Sequence, residues 1–148
     1  MLTFSKKVDY GLIALSHLAA DAGHKASARQ ISDRFGVPLP ILMNILKTLA
    51  HKGLVTSLRG AKGGYVLAVD PHAISVGRIV LALEGPLRMV ECVGPPMVAE
   101  ERCRVETKCP IKTPAHKLHW RILKMLDEVT LADFANDAHE AVPPATTA

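Results

Sequence analysis

Three cysteines fall within one short stretch, Cys92-x10-Cys103-x5-Cys109, and the chain has no others. Thiolates are soft ligands. Three of them on one Pro- and Gly-containing loop, with Gly94, Pro95 and Pro96 shaping its path, can converge on a single soft metal centre. An odd number of cysteines, in a chain that opens without an export signal, argues against a disulfide framework. Zinc held by the three thiolates and His116 is a second chemistry, although structural zinc sites more often pair cysteines at gaps of about two to four residues. A metal-free thiol switch is a third, and inert cysteines in a degraded sensor are a fourth. Arg102, Arg104 and Lys108 could lower a thiol pKa. No base with an orienting partner accompanies any of the three, however, so a nucleophilic cysteine enzyme is not expected.

The elements flanking this segment must position it. Ser75 has the chemistry to cap a helix over Val76–Glu84, which Gly85-Pro86 ends. After the cysteines, Thr113-Pro114 opens a long helix to about Val129, striped by Leu118, Ile122, Met125, Leu126 and Val129. Thr130 starts a short last helix, Leu131 to about His139, and Ala141 to Ala148 reads as a disordered tail. The long helix's apolar stripe calls for a partner, and a second copy of the chain related by a two-fold axis supplies one.

The first half of the chain has a different pattern. Val8 to Ala20 predicts a helix with Val8, Leu12, Leu15 and Leu18 or Ala19 on one face. Ser27-Ala28-Arg29-Gln30 is a capping-box pattern opening a helix to about Phe35, with Ala28, Ile31 and Phe35 inward and Gly36 at its end. A tight turn follows at Val37-Pro38-Leu39-Pro40. The next helix, Ile41 to about His51, turns Leu42, Ile45, Leu46 and Leu49 inward and Met43, Asn44, Lys47, Thr48 and His51 outward. Two β-like runs, 54–58 and 65–68, flank a glycine-rich basic tip, Arg59-Gly60-Ala61-Lys62-Gly63-Gly64.

Helix, turn, helix and two-stranded wing, in that order, form a winged helix-turn-helix. Its second helix must bury one face and leave a polar face for the major groove of double-stranded DNA. Asn44 could pair with adenine and Lys47 with guanine or phosphate. Arg59 could enter a minor groove, with Gly60, Lys62 and Gly63 bringing backbone and charge close to phosphate. Arg29, Pro40, Met43 and Thr48 complete the expected DNA-facing set.

Charge distribution agrees with this. Residues 1–70 carry nine Lys/Arg and four Asp/Glu, giving +5, and residues 71–148 carry nine and ten, giving −1, for a total of +4. Between Asp33 and Asp70 there are five bases and no acid, a pattern that suits a polyanion partner. Aromatic residues make up only 4% against 49% hydrophobic, which favours aliphatic helices over a sheet sandwich. With no membrane-length apolar run and no signal peptide, a cytoplasmic protein is expected.

Val8-Asp9-Tyr10-Gly11-Leu12, Ile31-Ser32-Asp33-Arg34-Phe35-Gly36-Val37, Lys52-Gly53-Leu54-Val55 and the wing through Tyr65 resemble the Rrf-type family of bacterial regulators. Ile74-Ser75-Val76, Leu83-Glu84-Gly85-Pro86, Glu91-Cys92 and Thr130-Leu131-Ala132-Asp133 extend the resemblance over roughly residues 1 to 135. The family has IscR-like, NsrR-like and RirA-like branches, and the wing and the 37–40 turn stand closest to the regulator of the SUF cluster-assembly operon.

The resemblance implies a dimer on a palindromic operator that senses iron–sulfur cluster status, redox, nitric oxide or iron supply and controls cluster-assembly genes. It also implies a 2Fe–2S or 4Fe–4S cluster on Cys92, Cys103 and Cys109. IscR-like members place a histidine soon after the third cysteine, where this chain has Lys112. NsrR-like members use an aspartate of the partner's first helix, which maps to Asp9. Asp9 is thus the expected fourth ligand, with His116 as the alternative. Met43 stands where IscR-like members read bases with a carboxylate, so the operator sequence is expected to differ.

The fold expected is therefore mostly α, with a two-stranded wing and a long C-terminal dimerisation helix. Residues 1–70 form the DNA-binding module, 71–112 a linker helix and cysteine loop, 113–139 the dimerisation and last helices, and 140–148 the tail.

Overall fold

The computed structural model describes residues 3–20, 23–90, 92–93 and 103–137. The expected tail, the last residues of the final helix, and Glu91, Gly94, Pro95, Pro96 and Arg102 of the cysteine segment lie outside them. The order of elements is α1 (Lys6–Ala19), α2 (Ala28–Phe35), α3 (Leu39–His51), β1 (Val55–Leu58), β2 (Gly64–Leu67), α4 (Val76–Glu84), α5 (Lys112–Glu128) and α6 (Leu131–Asp137). Short 3-10 turns occupy Pro71–Ala73 and Glu106–Lys108.

Local chemistry sets most boundaries. Ser5 caps α1, accepting from the Val8 N–H, so the helix starts at Lys6, two residues before the expected Val8. At α2 the capping box forms in both directions: the Gln30 N–H donates to the Ser27 hydroxyl at 3.2 Å, and the Ser27 N–H donates to the Gln30 side chain at 2.8 Å. Gly36 ends α2 at φ 67°, a left-handed conformation that a Cβ makes costly. α3 starts at Leu39 with Pro40 in its first turn, where an absent N–H leaves nothing unpaired. Its end is locked by Gly53 N–H to Ala50 C=O and Leu54 N–H to Leu49 C=O, which delivers the chain directly into β1.

β1 and β2 pair antiparallel, Val55 opposite Leu67 and Leu58 opposite Gly64. Ala26, ahead of α2, exchanges two backbone hydrogen bonds with Tyr65, an isolated antiparallel bridge on β2. Gly64 makes that approach possible, because a Cβ there would stand 2.9 Å from the Ala26 carbonyl oxygen.

One aliphatic core joins both halves of the chain. Val8, Leu15, Ile31, Leu42, Leu46, Leu49 and Leu54 pack with Ile74, Ile79, Val80, Leu83 and Leu131. α6 returns to α1, and Leu131, in the last helix, is fully buried. Two inward assignments change. Phe35 is 42% exposed and lies against His17, at the last position of α2, where Gly36 turns the chain away from the helix. Ala28 is only half-buried, although it packs against that core.

α5 stands apart. It packs on α4, yet His119 is its only buried residue, and Leu118 and Met125 of its stripe are 50% and 53% exposed. Trp120, on the same helix, is 64% exposed. No helix of the described residues is long and apolar enough to cross a membrane.

Candidate nucleic-acid interface and cysteine site

α3 is held from behind by Leu42, Ile45, Leu46 and Leu49, all buried against the core. That leaves Pro40, Met43, Asn44 and Lys47 exposed and Thr48 half-buried, its hydroxyl donating to the Asn44 carbonyl at 2.9 Å. Thr48 thus spends its donor on its own helix and keeps only acceptor capacity for a ligand. Arg29 is exposed on the first turn of α2. At the wing, Arg59, Gly60 and Lys62 are exposed and Gly63 is half-buried. The tip is a closed turn, with the Gly63 N–H donating to the Gly60 carbonyl at 2.8 Å. It is therefore more defined than a flexible glycine-rich tip, and it sets where the two cations project.

The cysteine segment leaves from α4, whose C-terminus is tied to the start of α1. The Lys7 ammonium donates to the Leu83 carbonyl and the Ser5 hydroxyl to the Glu84 carboxylate, both at 2.5 Å. Asp9 is exposed on the same first turn of α1. All three cysteines are free thiols and half-buried. Cys92 lines a cavity of about 430 Å³ with His116, His119, Trp120 and Leu123 of α5. Cys109 lies just ahead of α5, its carbonyl accepting from the Lys112 N–H.

Within that cavity wall, His116 Nε2 and His119 Nδ1 are buried with no hydrogen-bond partner. His119 is 2% exposed, and burial, followed by the neighbouring His116, holds its pKa below the usual imidazole range. Two unpartnered imidazole nitrogens lining one cavity with a thiol form a soft, nitrogen–sulfur donor set. Among the described residues no three such donors stand at metal-binding distance from one another.

Comparison with known proteins gives the family. The Rrf2 family profile, described as an iron-dependent transcriptional regulator, matches residues 4–137. This chain belongs to the Rrf2 family of transcription regulators. An rrf2-like helix-turn-helix-type regulator of Rhodobacter capsulatus is 31% identical over 134 residues, covering 87% of this chain and 89% of that protein. Among solved structures, IscR of T. potens is 34% identical with a TM-score of 0.72, covering 97% of this chain and 93% of that one. CymR, the global cysteine regulator of B. subtilis, is 32% identical with a TM-score of 0.69, covering 92% and 98%. These relatives are transcription regulators, not enzymes.

Sequence reading of this Rrf2-family chain missed His119, singling out only His116 on that helix. The available signal was the i, i+3 spacing of His116 and His119, which puts two imidazoles on one helix face. It also missed the contact between His17 and His24. Their chain segments meet only through the packing of the α1–α2 connection, which no periodicity encodes.

Proposed function

We propose that this Rrf2-family regulator binds double-stranded DNA as a two-fold dimer on a palindromic operator and reports iron–sulfur cluster status to cluster-assembly genes. The observation that carries the DNA half is α3. One of its faces is fully buried and the other presents Asn44 and Lys47, in an acid-free stretch that ends in the Arg59–Lys62 wing. Phosphate contacts by Lys47, Arg59, Lys62 and Arg29 position the protein, and Asn44, Met43 and Thr48 face base edges. Pro40, Gly60 and Gly63 let backbone approach the duplex. The exposed apolar residues of α5 are the dimer surface, which brings two recognition helices into a fixed spacing.

Cys92, Cys103 and Cys109 would hold the cluster. The fourth position goes to Asp9 of the partner subunit, with His116 as the alternative. The donor set fits: three free thiols, with partnerless buried imidazole nitrogens beside Cys92. When bound, the cluster supplies sensitivity to oxidants, nitric oxide or iron supply. The chain's own part is transmission. α4 packs against α1, α3 and α5, so a change in the segment that follows α4 reaches the recognition helix through packed side chains.

The nitrogen–sulfur character of the Cys92 cavity also favours a second reading, a zinc-bound or cluster-free thiol switch of the same fold. Anaerobic purification with visible spectra and iron and sulfide assays separates the two. A coloured wild type with stoichiometric iron and sulfide, and a colourless Cys103→Ala variant, supports the cluster. A colourless wild type after anaerobic reconstitution overturns it and leaves zinc or a thiol switch.

A further inference from the structure

Away from the cysteines, His17 in the last turn of α1 and His24 in the α1–α2 connection bring their Nε2 atoms to 3.3 Å. The ring centroids are 4.7 Å apart at an interplanar angle of 79°. A collinear N–H···N bond at that separation would hold the centroids farther apart, so the ring axes are inclined to the N···N line. Two nitrogens at about 2.0–2.1 Å from one tetrahedral zinc ion are separated by about 3.3 Å. Both histidines line an open cavity of about 540 Å³, together with Lys25, Ala26, Gln30, Asp33 and Arg34.

We propose that His17 and His24 form a two-histidine site for a borderline divalent transition-metal ion such as Zn2+, distinct from the cysteine centre. Imidazole is the commonest side-chain ligand for such ions. No third His, Cys, Asp or Glu stands at ligand distance among the described residues, so water fills the remaining positions from the open side. Ligation replaces the N–H···N contact: each Nε2 gives its lone pair to the metal and each ring keeps its proton on Nδ1. The ion must tolerate Lys25 and Arg34, whose charge Asp33 offsets in part. Burial, then His24, then Arg34 hold the His17 pKa below the usual range. Phe35 braces the His17 ring, with centroids 5.4 Å apart. Bound metal would fasten α1 to the segment that reaches Ala26, the residue paired with Tyr65 of the wing.

The test is a Zn2+ titration of the full-length protein followed by imidazole 15N–1H correlation spectra, which read each histidine whatever the cysteines bind. The expected result is a joint shift of the His17 and His24 Nε2 resonances at one added equivalent beyond cysteine saturation. His24→Ala should abolish the response of His17, and His17→Ala that of His24. His24 lies outside the core, so His24→Ala keeps the test available if His17→Ala loses its packing on Phe35. Unmoved His17 and His24 signals at saturating Zn2+, or a His17 response that survives His24→Ala, would overturn the site. Neither result bears on cluster or DNA binding.

Discussion

The Leu131 N–H donates to the Ile74 carbonyl oxygen at 2.8 Å, and the same junction carries a bond from the Val76 N–H to the Val129 carbonyl. Both Leu131 and Ile74 are fully buried. The last helix is thereby stitched to the residue that leads into α4 and shares the core of the DNA-binding module. Leu131→Ala should destabilise the whole fold by about 2–5 kcal/mol, the usual cost of a leucine-sized cavity. Urea unfolding followed by circular dichroism measures it; an unchanged midpoint would show that α6 is dispensable to the core.

α2 is held at both ends by chemistry that single substitutions remove. Ser27→Ala should cost about 1 kcal/mol through loss of the cap. Gly36→Ala should cost about 1–2 kcal/mol through the left-handed backbone, since the space around the glycine is open and no clash contributes. Thermal melts of the two variants and of their combination check both values.

On DNA, Lys47→Ala and Arg59→Ala should each weaken operator binding and lower the salt dependence by about one released counterion. Asn44→Ala should instead reduce discrimination between sequences, by about 1–3 kcal/mol at one base pair. Fluorescence anisotropy across a salt series distinguishes these effects. A salt slope unchanged in both charge variants would remove Lys47 and Arg59 from the interface.

Asp133 accepts from the Thr130 N–H at 2.7 Å and the Thr130 hydroxyl at 2.8 Å, and these bonds, the backbone one first, hold its pKa below the usual carboxylate range. A lowered carboxylate pKa means that the unfolded chain takes up the proton first. The stabilisation is therefore complete above the unfolded pKa and lost as pH falls through the folded one. Asp133→Asn should lower stability at neutral pH, and its deficit against wild type should shrink on acidification below about pH 4. A deficit independent of pH would point to lost shape and not lost charge.

The exposed apolar face of α5 should hold two copies together. Leu118→Glu combined with Met125→Glu should convert a dimer to a monomer in light scattering while helix content persists, because neither side chain belongs to the core of a single chain. A dimer that survives both substitutions would place the interface elsewhere.

The sequence by itself determined the elements and their order, since caps, glycines and apolar periodicity act over a few residues. Ser27 with Gln30, Gly36, Pro40 and Ser75 each mark a boundary through a bond or dihedral made locally. The outward set on α3 was legible for the same reason, because the helical period assigns Leu42, Ile45, Leu46 and Leu49 inward and the rest outward. Tertiary structure decided what depends on contacts between distant segments. Leu131 joins the core that the first helix shares, and Phe35 leaves that core at the end of α2, where His17 and Arg34 lie against its ring. His119 turns inward beside Cys92, although histidine is compatible with surface or interior. His17 meets His24 because α1 and the following connection fold against α2. In each case side-chain type left several environments open, and the packing of helices selected one.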